Sequence, residues 1–293
     1  MAKEMKNVIS VDVEQWFHRF IFREYFRDTD FHPKPSEHVV EATEKVLDVF
    51  SRYDKTTTFF ILGEVAELLP ELVKEIAERG HEVAFHGYSH AELHEMEPSE
   101  FKAGVEKGTR RLYQITKQKV VGFRAPDFSL NNETIWALRV LHDKGFKYDS
   151  SLFPTTTLLP RMAPQYGMLG GIHHPYFPSP SDLTEEDPNQ KIVEFPLLTR
   201  KMGFFNIPAA GGFYLRLFGP RFILESKRNM NKQGYPAMCY VHPWEIYGFP
   251  QIDMPVHKRF YTYYKIPCLE LFEKLVRNTD IAPAVEVLET IGI

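Results

Sequence analysis

The sequence predicts a single-domain α/β protein built as a closed or nearly closed barrel of parallel strands, and three observations support that expectation. Short apolar, β-rich runs alternate with helical stretches from Val8 to Val241. The connections over the first half of the chain are short, as right-handed crossovers between parallel strands require. The 293 residues, although enough for two domains, are also an ordinary length for one α/β barrel.

The elements follow in order. Val8 to Val13 is an apolar, β-branched run that reads as the first strand, followed to about Pro35 by a stretch rich in aromatic and charged residues. From Ser36, a candidate N-cap, to Tyr53, residues Val39, Val40, Val46, Leu47, Val49 and Phe50 recur at helical spacing. Thr56 to Leu62 is the second strand, Leu68 to Arg79 a helix stopped by Gly80, and His81 to Phe85 the third strand. Pro98 to Thr116 is helical, Val120 to Phe123 a strand, Asn131 to Lys144 a helix ended by Gly145, and Phe146 to Leu152 a strand. Between about residues 153 and 190 the pattern dissolves into Pro, Gly, His and aromatic residues. This loop is too long for a simple connection and is expected to shape a functional rim or to pack against another subunit of a homo-oligomer. Lys191 to Leu197 is strand-like, Gly212 to Gln233 helical and Ala237 to Val241 a strand. Helical stretches from about residue 266, Cys268 to Asn278 and Pro283 to Ile291, are expected to close the barrel, so that residues 1–293 form one domain.

Composition excludes several classes. Hydrophobic residues at 43% and charged residues at 25% match ordinary globular usage and allow a core without disulfides. The net charge of -4 comes from both signs scattered along the chain, so no basic stripe suggests nucleic acid. The N-terminus has no apolar signal region, and no run reaches the roughly 18 apolar residues of a membrane span. Cys239 and Cys268 lack metal or redox spacing and read as buried thiols. Together these features lead to the expectation of a cytoplasmic protein.

The chemistry-bearing residues gather at the ends of the expected strands. His86 and His90 follow the third strand, and on a helical turn residues four apart share a face with Cβ atoms roughly 6 Å apart, close enough to bind one cation. Alone, such a pair is as readily two unrelated loop histidines. Asp12 and Glu14 end the first strand, and the period-two alternation sends both to one side. Arg124, Asp149 and His242 end later strands. Taken singly, an arginine is usually a surface ion pair and a histidine a satisfied structural one. Parallel barrel strands, however, present all their C-terminal ends at one mouth, so these residues would converge.

The series Val-Asp-Val-Glu at 11–14, His-Gly-Tyr-Ser-His at 86–90, Arg-Ala-Pro at 124–126, Tyr-Asp-Ser-Ser at 148–151 and Val-His-Pro at 241–243 resembles the NodB-homology polysaccharide deacetylases, carbohydrate esterase family 4. The resemblance spans about residues 7–245. Val-Asp-Val-Glu-Gln-Trp-Phe-His and His-Pro-Trp-Glu further resemble a subgroup associated with exopolysaccharide and exosortase systems. The resemblance implies a distorted (β/α) barrel that removes N-acetyl groups from N-acetylhexosamine units of a glycan or glycan precursor, using a divalent metal, Zn2+ first among candidates. It implies Glu14, His86 and His90 as ligands, Asp12 as general base, Arg124 as its holder and His242 as general acid. It further implies Asp149 as a residue tuning His242 and the backbone amide of Asp127 as an oxyanion donor. Trp244 beside the last motif is a candidate for stacking on a sugar. His18, His94, His173 and His174 belong to no motif and read as structural.

Two departures leave roles open. Where many members have adjacent acids, Val13 stands second and the acid returns at Glu14, so Asp12 is an alternative ligand. Asp127 stands where an aromatic residue is frequent, which puts the sugar subsite in doubt. Two other functions remain in play: a metal-independent, allantoinase-like ureide hydrolase, which predicts incomplete metal ligands, and a non-catalytic glycan-binding or assembly protein.

Overall fold

The computed structural model describes residues 5–18, 37–155, 171–251, 259 and 262–293. The expected Ser36 cap and residues 156–170 of the long loop lie outside them. In chain order the strands are β1 Val8–Val13, β2 Thr58–Ile61, β3 Glu82–Phe85, β4 Gly122–Phe123, β5 Tyr148–Asp149, β6 Val193–Glu194, β7 Thr199–Met202, β8 Phe205–Pro208 and β9 Met238–Val241. Described helices are α1 Glu37–Arg52, α2 Gly63–Leu68, α3 Pro70–Glu78, α4 Pro98–Thr116, α5 Trp136–Asp143, α6 Gly212–Lys232, α7 Pro243–Tyr247, α8 Leu269–Arg277 and α9 Ala284–Thr290.

Seven parallel strands curl in the order β6-β5-β4-β3-β2-β1-β9. Every residue of β1, β2 and β3 is buried, as in a parallel sheet covered on both faces. The curl closes where Leu197, just past β6, bridges Met238 of β9 and the Leu198 N–H donates to the Met238 carbonyl at 2.8 Å. Closure is therefore made by strands rather than by the C-terminal helices. Those helices cover the opposite end: the Ala284 N–H donates to Thr58 Oγ1 at 2.8 Å and the Val285 N–H to Glu82 Oε2 at 3.2 Å. Tyr148 completes this buried floor by donating to Glu82 Oε1 at 3.0 Å.

Local chemistry explains where the elements depart from expectation. The helix expected over 68–79 is α3, and α2 before it was not expected; Pro70 at N1 keeps the two apart because it disfavours helical geometry at Leu69, which sits at φ -130° and ψ 56°. Helix α5 starts later than Asn131 because the Asn131 side chain holds a preceding turn, accepting from the Glu133 N–H at 2.8 Å. Helix α6 is interrupted by Gly219 at φ 79° before Pro220. Helix α4 packs so closely on β3 that a Cβ at Gly108 would come within 2.3 Å of the Phe85 ring. The β7–β8 hairpin was not expected, since its exposed, charged strands carry no clean alternation. Within the long loop, Tyr176 bridges Glu194 and Pro178 bridges Glu186, tying residues 171–190 back to the barrel.

Candidate metal centre and active site

Four of the expected site residues are the first residue past a strand: Glu14 after β1, His86 after β3, Arg124 after β4 and His242 after β9. Asp12 lies within β1, and Asp149 is the last residue of β5. The parallel topology therefore delivers them to one mouth. The two histidines reach it differently from the expected helical turn. Residues 86–90 form a bent loop in which Gly87 has φ 82° and His90 φ 59°, both left-handed. For His90 that geometry is uncommon and costs of order 1 kcal/mol.

Candidate ligand atoms of Glu14, His86 and His90 all lie within 4.8 Å of one another, and all three side chains are buried. Glu14 Oε2 lies 3.7 Å from His86 Nε2 and directly against His90 Nε2. His86 Nδ1 lies 2.9 Å from the Arg124 carbonyl, which can only accept, so the ring proton sits on Nδ1 and Nε2 presents its lone pair. A neutral imidazole lone pair facing a carboxylate oxygen is electrostatically unfavourable by itself and favourable around a shared cation. The donor set thus fits a divalent metal. Burial alone would raise the Glu14 pKa, but the charges of His90 and His242 outweigh it and hold the carboxyl well below its usual range. Outside the cluster, the His18 ring stacks on His90 at 5.2 Å.

Asp12 is engaged elsewhere. Arg124, fully buried, donates from Nη1 to Asp12 Oδ1 at 2.6 Å and to Ser10 Oγ at 2.8 Å, from Nε to the Ser150 carbonyl at 2.9 Å and from Nη2 to Ser150 Oγ at 2.9 Å. Its guanidinium also lies 4.1 Å over the Phe60 ring. The structure thus groups Glu14 with the histidines and Asp12 with the arginine.

His242 Nε2 faces Glu14 Oε1 at 3.3 Å, while its Nδ1 lies 3.0 Å from Glu245 Oε2. Glu245 in turn accepts from Arg216 Nη2 at 3.0 Å, and both of these partners are buried. The packing is tight: a Cβ on Gly212 would come within 2.0 Å of Glu245 Oε2. Burial alone would lower the His242 pKa, but Glu14 foremost, then Glu245 and Asp12, raise it from 6.5 to about 9.

Two expectations are corrected here. Asp149 is not the partner of His242: it accepts from Ser151 Oγ at 2.6 Å and from the Ser151 N–H at 3.2 Å, and it shares a proton with Glu194. Burial first, then the Asp149 charge, pushes Glu194 well above the usual carboxylate range, so Glu194 holds that proton. The place beside His242 belongs to Glu245, which Pro243 at N1 and an acid at N3 of a short helix would have signalled in the sequence. Arg216 had no such signal. Trp244 is not a solvent-facing sugar platform: it is 1% exposed and stacks on the His242 ring at 4.8 Å. The Asp127 carboxylate points toward the cluster, 4.0 Å from His90 Nδ1, and its backbone sits at φ 49° and ψ 24° just after Pro126.

Comparison with known proteins agrees with this geometry. The sequence pattern described as polysaccharide deacetylase matches residues 30–148, and a domain of unknown function (DUF3473) matches residues 150–289. The barrel crosses that boundary, since β6 and β9 come from the second region and β9 pairs with β1. A peptidoglycan deacetylase-like protein of Gibberella zeae is 35% identical over 108 residues, 37% of this chain and 31% of that protein. A peptidoglycan-N-acetylglucosamine deacetylase of Bacillus cereus is 34% identical over 99 residues, 33% of this chain and 36% of that protein. The matches thus span about a third of each of these relatives. A Mycobacterium smegmatis structure designated a polysaccharide deacetylase superposes with a TM-score of 0.61 at 19% identity, covering 99% of this chain and 91% of that one, and so shares the fold. Barrel, strand-end motifs and matched pattern together lead to one conclusion: residues 30–148 carry the polysaccharide deacetylase pattern, within a barrel whose fold the Mycobacterium smegmatis structure shares.

Proposed function

We propose that the protein is a metal-dependent N-deacetylase acting on N-acetylhexosamine units of a glycan or glycan precursor, with Zn2+ as its metal. The observation that carries this reading is the meeting, at one barrel mouth, of a three-ligand cluster, an arginine-held carboxylate and a carboxylate-backed imidazole. Glu14, His86 and His90 would hold the metal, which when bound lowers the pKa of a coordinated water toward about 7 and polarises the amide carbonyl. Asp12, fixed by Arg124, takes a proton from the attacking water. His242 delivers a proton from Nε2 to the departing amine while Glu245 holds Nδ1. Each transfer is worth about 10²- to 10⁴-fold. The Asp127 N–H stabilises the developing oxyanion. The peptidoglycan N-acetylglucosamine in the name of the Bacillus cereus relative supports the substrate class, and the second matched region supports the exopolysaccharide-associated subgroup. A complete ligand set disfavours the ureide hydrolase, and the retention of Asp12 and His242 disfavours a binder without turnover.

The test is acetate release from a panel of N-acetylated saccharides, with metal content measured on the same sample. Asp12→Asn should lower turnover about 10²- to 10⁴-fold while metal stays bound. A native sample with neither metal nor acetate release would refute the proposal.

A further inference from the structure

Helix α6 carries two exposed features that the barrel mouth does not use. The first is a cationic cleft. Arg221, Leu224 and Arg228 recur along one stripe of α6 and face Lys274, Arg277 and Asn278 of α8 and its end, around a space of about 360 Å3 whose only other lining residue is Pro220. Among the described residues, no acidic one lines this cleft. Among the described residues, the side chains of Arg221, Arg228, Lys274 and Arg277 have no hydrogen bond or ion pair. Glu273, whose charge interacts with Arg277, is taken by Arg52 at 2.5 Å and by the Tyr53 hydroxyl at 3.0 Å. In a chain of net charge -4, four cations without a hydrogen bond or ion pair around one cleft repel one another, and Glu273, shared with Arg52, offsets only Arg277.

The second feature is apolar. The β7–β8 hairpin roots on the neighbouring stripe of α6, where Arg200 pairs with Glu225 at 3.1 Å and lies 4.9 Å over the Phe222 ring. Beyond that root the tip reads Lys201-Met202-Gly203-Phe204-Phe205, with Met202 at 49%, Phe204 at 97% and Phe205 at 42% exposure. Leu217 and Phe218 of α6 are exposed too, Phe218 lying 4.7 Å from Phe222. An aromatic ring held almost wholly in water at a hairpin tip contributes nothing to the fold. Next to unpaired cations it matches the two signals, apolar insertion and basic charge, that together hold a protein on an acidic lipid surface.

We propose that this face docks on an anionic phospholipid bilayer, with Met202, Phe204 and Phe205 entering the headgroup region and the α6–α8 cleft receiving lipid phosphates. The test is co-sedimentation of the full chain with vesicles of phosphatidylcholine alone or mixed with phosphatidylglycerol, together with light scattering of the free protein. Binding should require phosphatidylglycerol, weaken with salt and fall about fivefold for each of Arg221→Gln and Arg277→Gln. Phe204→Ser should reduce binding about tenfold, and since the side chain is exposed its thermal unfolding should not change. Three results would overturn the proposal: equal binding to neutral vesicles, no binding to either, or a dimer in free solution that Phe204→Ser dissolves. Inorganic phosphate that displaces the protein from vesicles at submillimolar concentration, below any effect of matched chloride, would assign the cleft to a soluble anion instead. The experiment needs no deacetylase activity, so it stands apart from the function proposed above.

Discussion

Replacing Glu245 by glutamine probes the chemistry behind His242 without touching the imidazole. Glu245 accepts on both oxygens, from His242 Nδ1 at 3.0 Å and from Arg216 Nη2 at 3.0 Å. Glutamine has one acceptor oxygen. A guanidinium can only donate, so if that oxygen stays on Arg216 the amide NH2 faces Nδ1 and drives the ring proton to the other nitrogen. A hydrogen bond to a charged group is worth about 1.5–3 kcal/mol, so losing it at the proton-delivery step lowers kcat about 10- to 150-fold. KM should hardly change, since Glu245 is buried behind His242. Stability falls as well: leaving one partner of a buried pair uncompensated costs about 3–5 kcal/mol, reduced here because Arg216 keeps the Tyr264 carbonyl at 2.6 Å. Adding Arg216→Met to Glu245→Gln removes the stranded charge and separates the two effects, since the melting temperature should recover and kcat should not. The assay is steady-state acetate release with parallel thermal unfolding and metal analysis. A folded, metal-loaded Glu245→Gln enzyme whose kcat stays within about twofold of the native value would refute the reasoning.

Two further predictions concern pH. Burial, helped by Arg79, pushes the His81 imidazole down from 6.5 to about 4, and its Nδ1 must stay unprotonated to accept the Thr57 N–H at 3.1 Å. Because the unfolded chain protonates first as pH falls, this contribution is intact above about 6.5 and fades toward about 4, about 3 kcal/mol in all. Urea titrations of His81→Gln across that window should show a flatter stability profile than the native protein, and identical slopes would contradict the assignment. Glu194 behaves oppositely: its folded pKa lies above the unfolded value, so the fold is favoured while the carboxyl is protonated and loses that advantage as pH rises. Glu194→Gln, which mimics the protonated form, should therefore gain stability relative to the native protein as pH rises above the ordinary carboxylate range, and a relative loss would show that Glu194 is ionised.

Much of this molecule was legible in the sequence because its elements are locally determined. Val8–Val13 and Pro98–Thr116 emerge where β-branched runs and helical spacing place them, since strands buried on both faces and amphipathic helices imprint their period on the chain. The convergence of Asp12, Glu14, His86, Arg124 and His242 followed once the strands were read as parallel, because that topology sends every C-terminal end to one mouth. Tertiary structure alone decided the pairings. Which acid joins the histidines depends on Arg124, 112 residues from Asp12, reaching across the barrel to claim it. That Glu245 rather than Asp149 backs His242 depends on Arg216 from a helix whose own spacing shows nothing of the site. The left-handed turn at His90 and the closure at Leu197 are likewise set by contacts between distant segments. The reason is physical: propensity and periodicity act over one or two turns of chain, whereas the energy of a buried charge depends on which opposite charge the fold brings within about 3 Å of it.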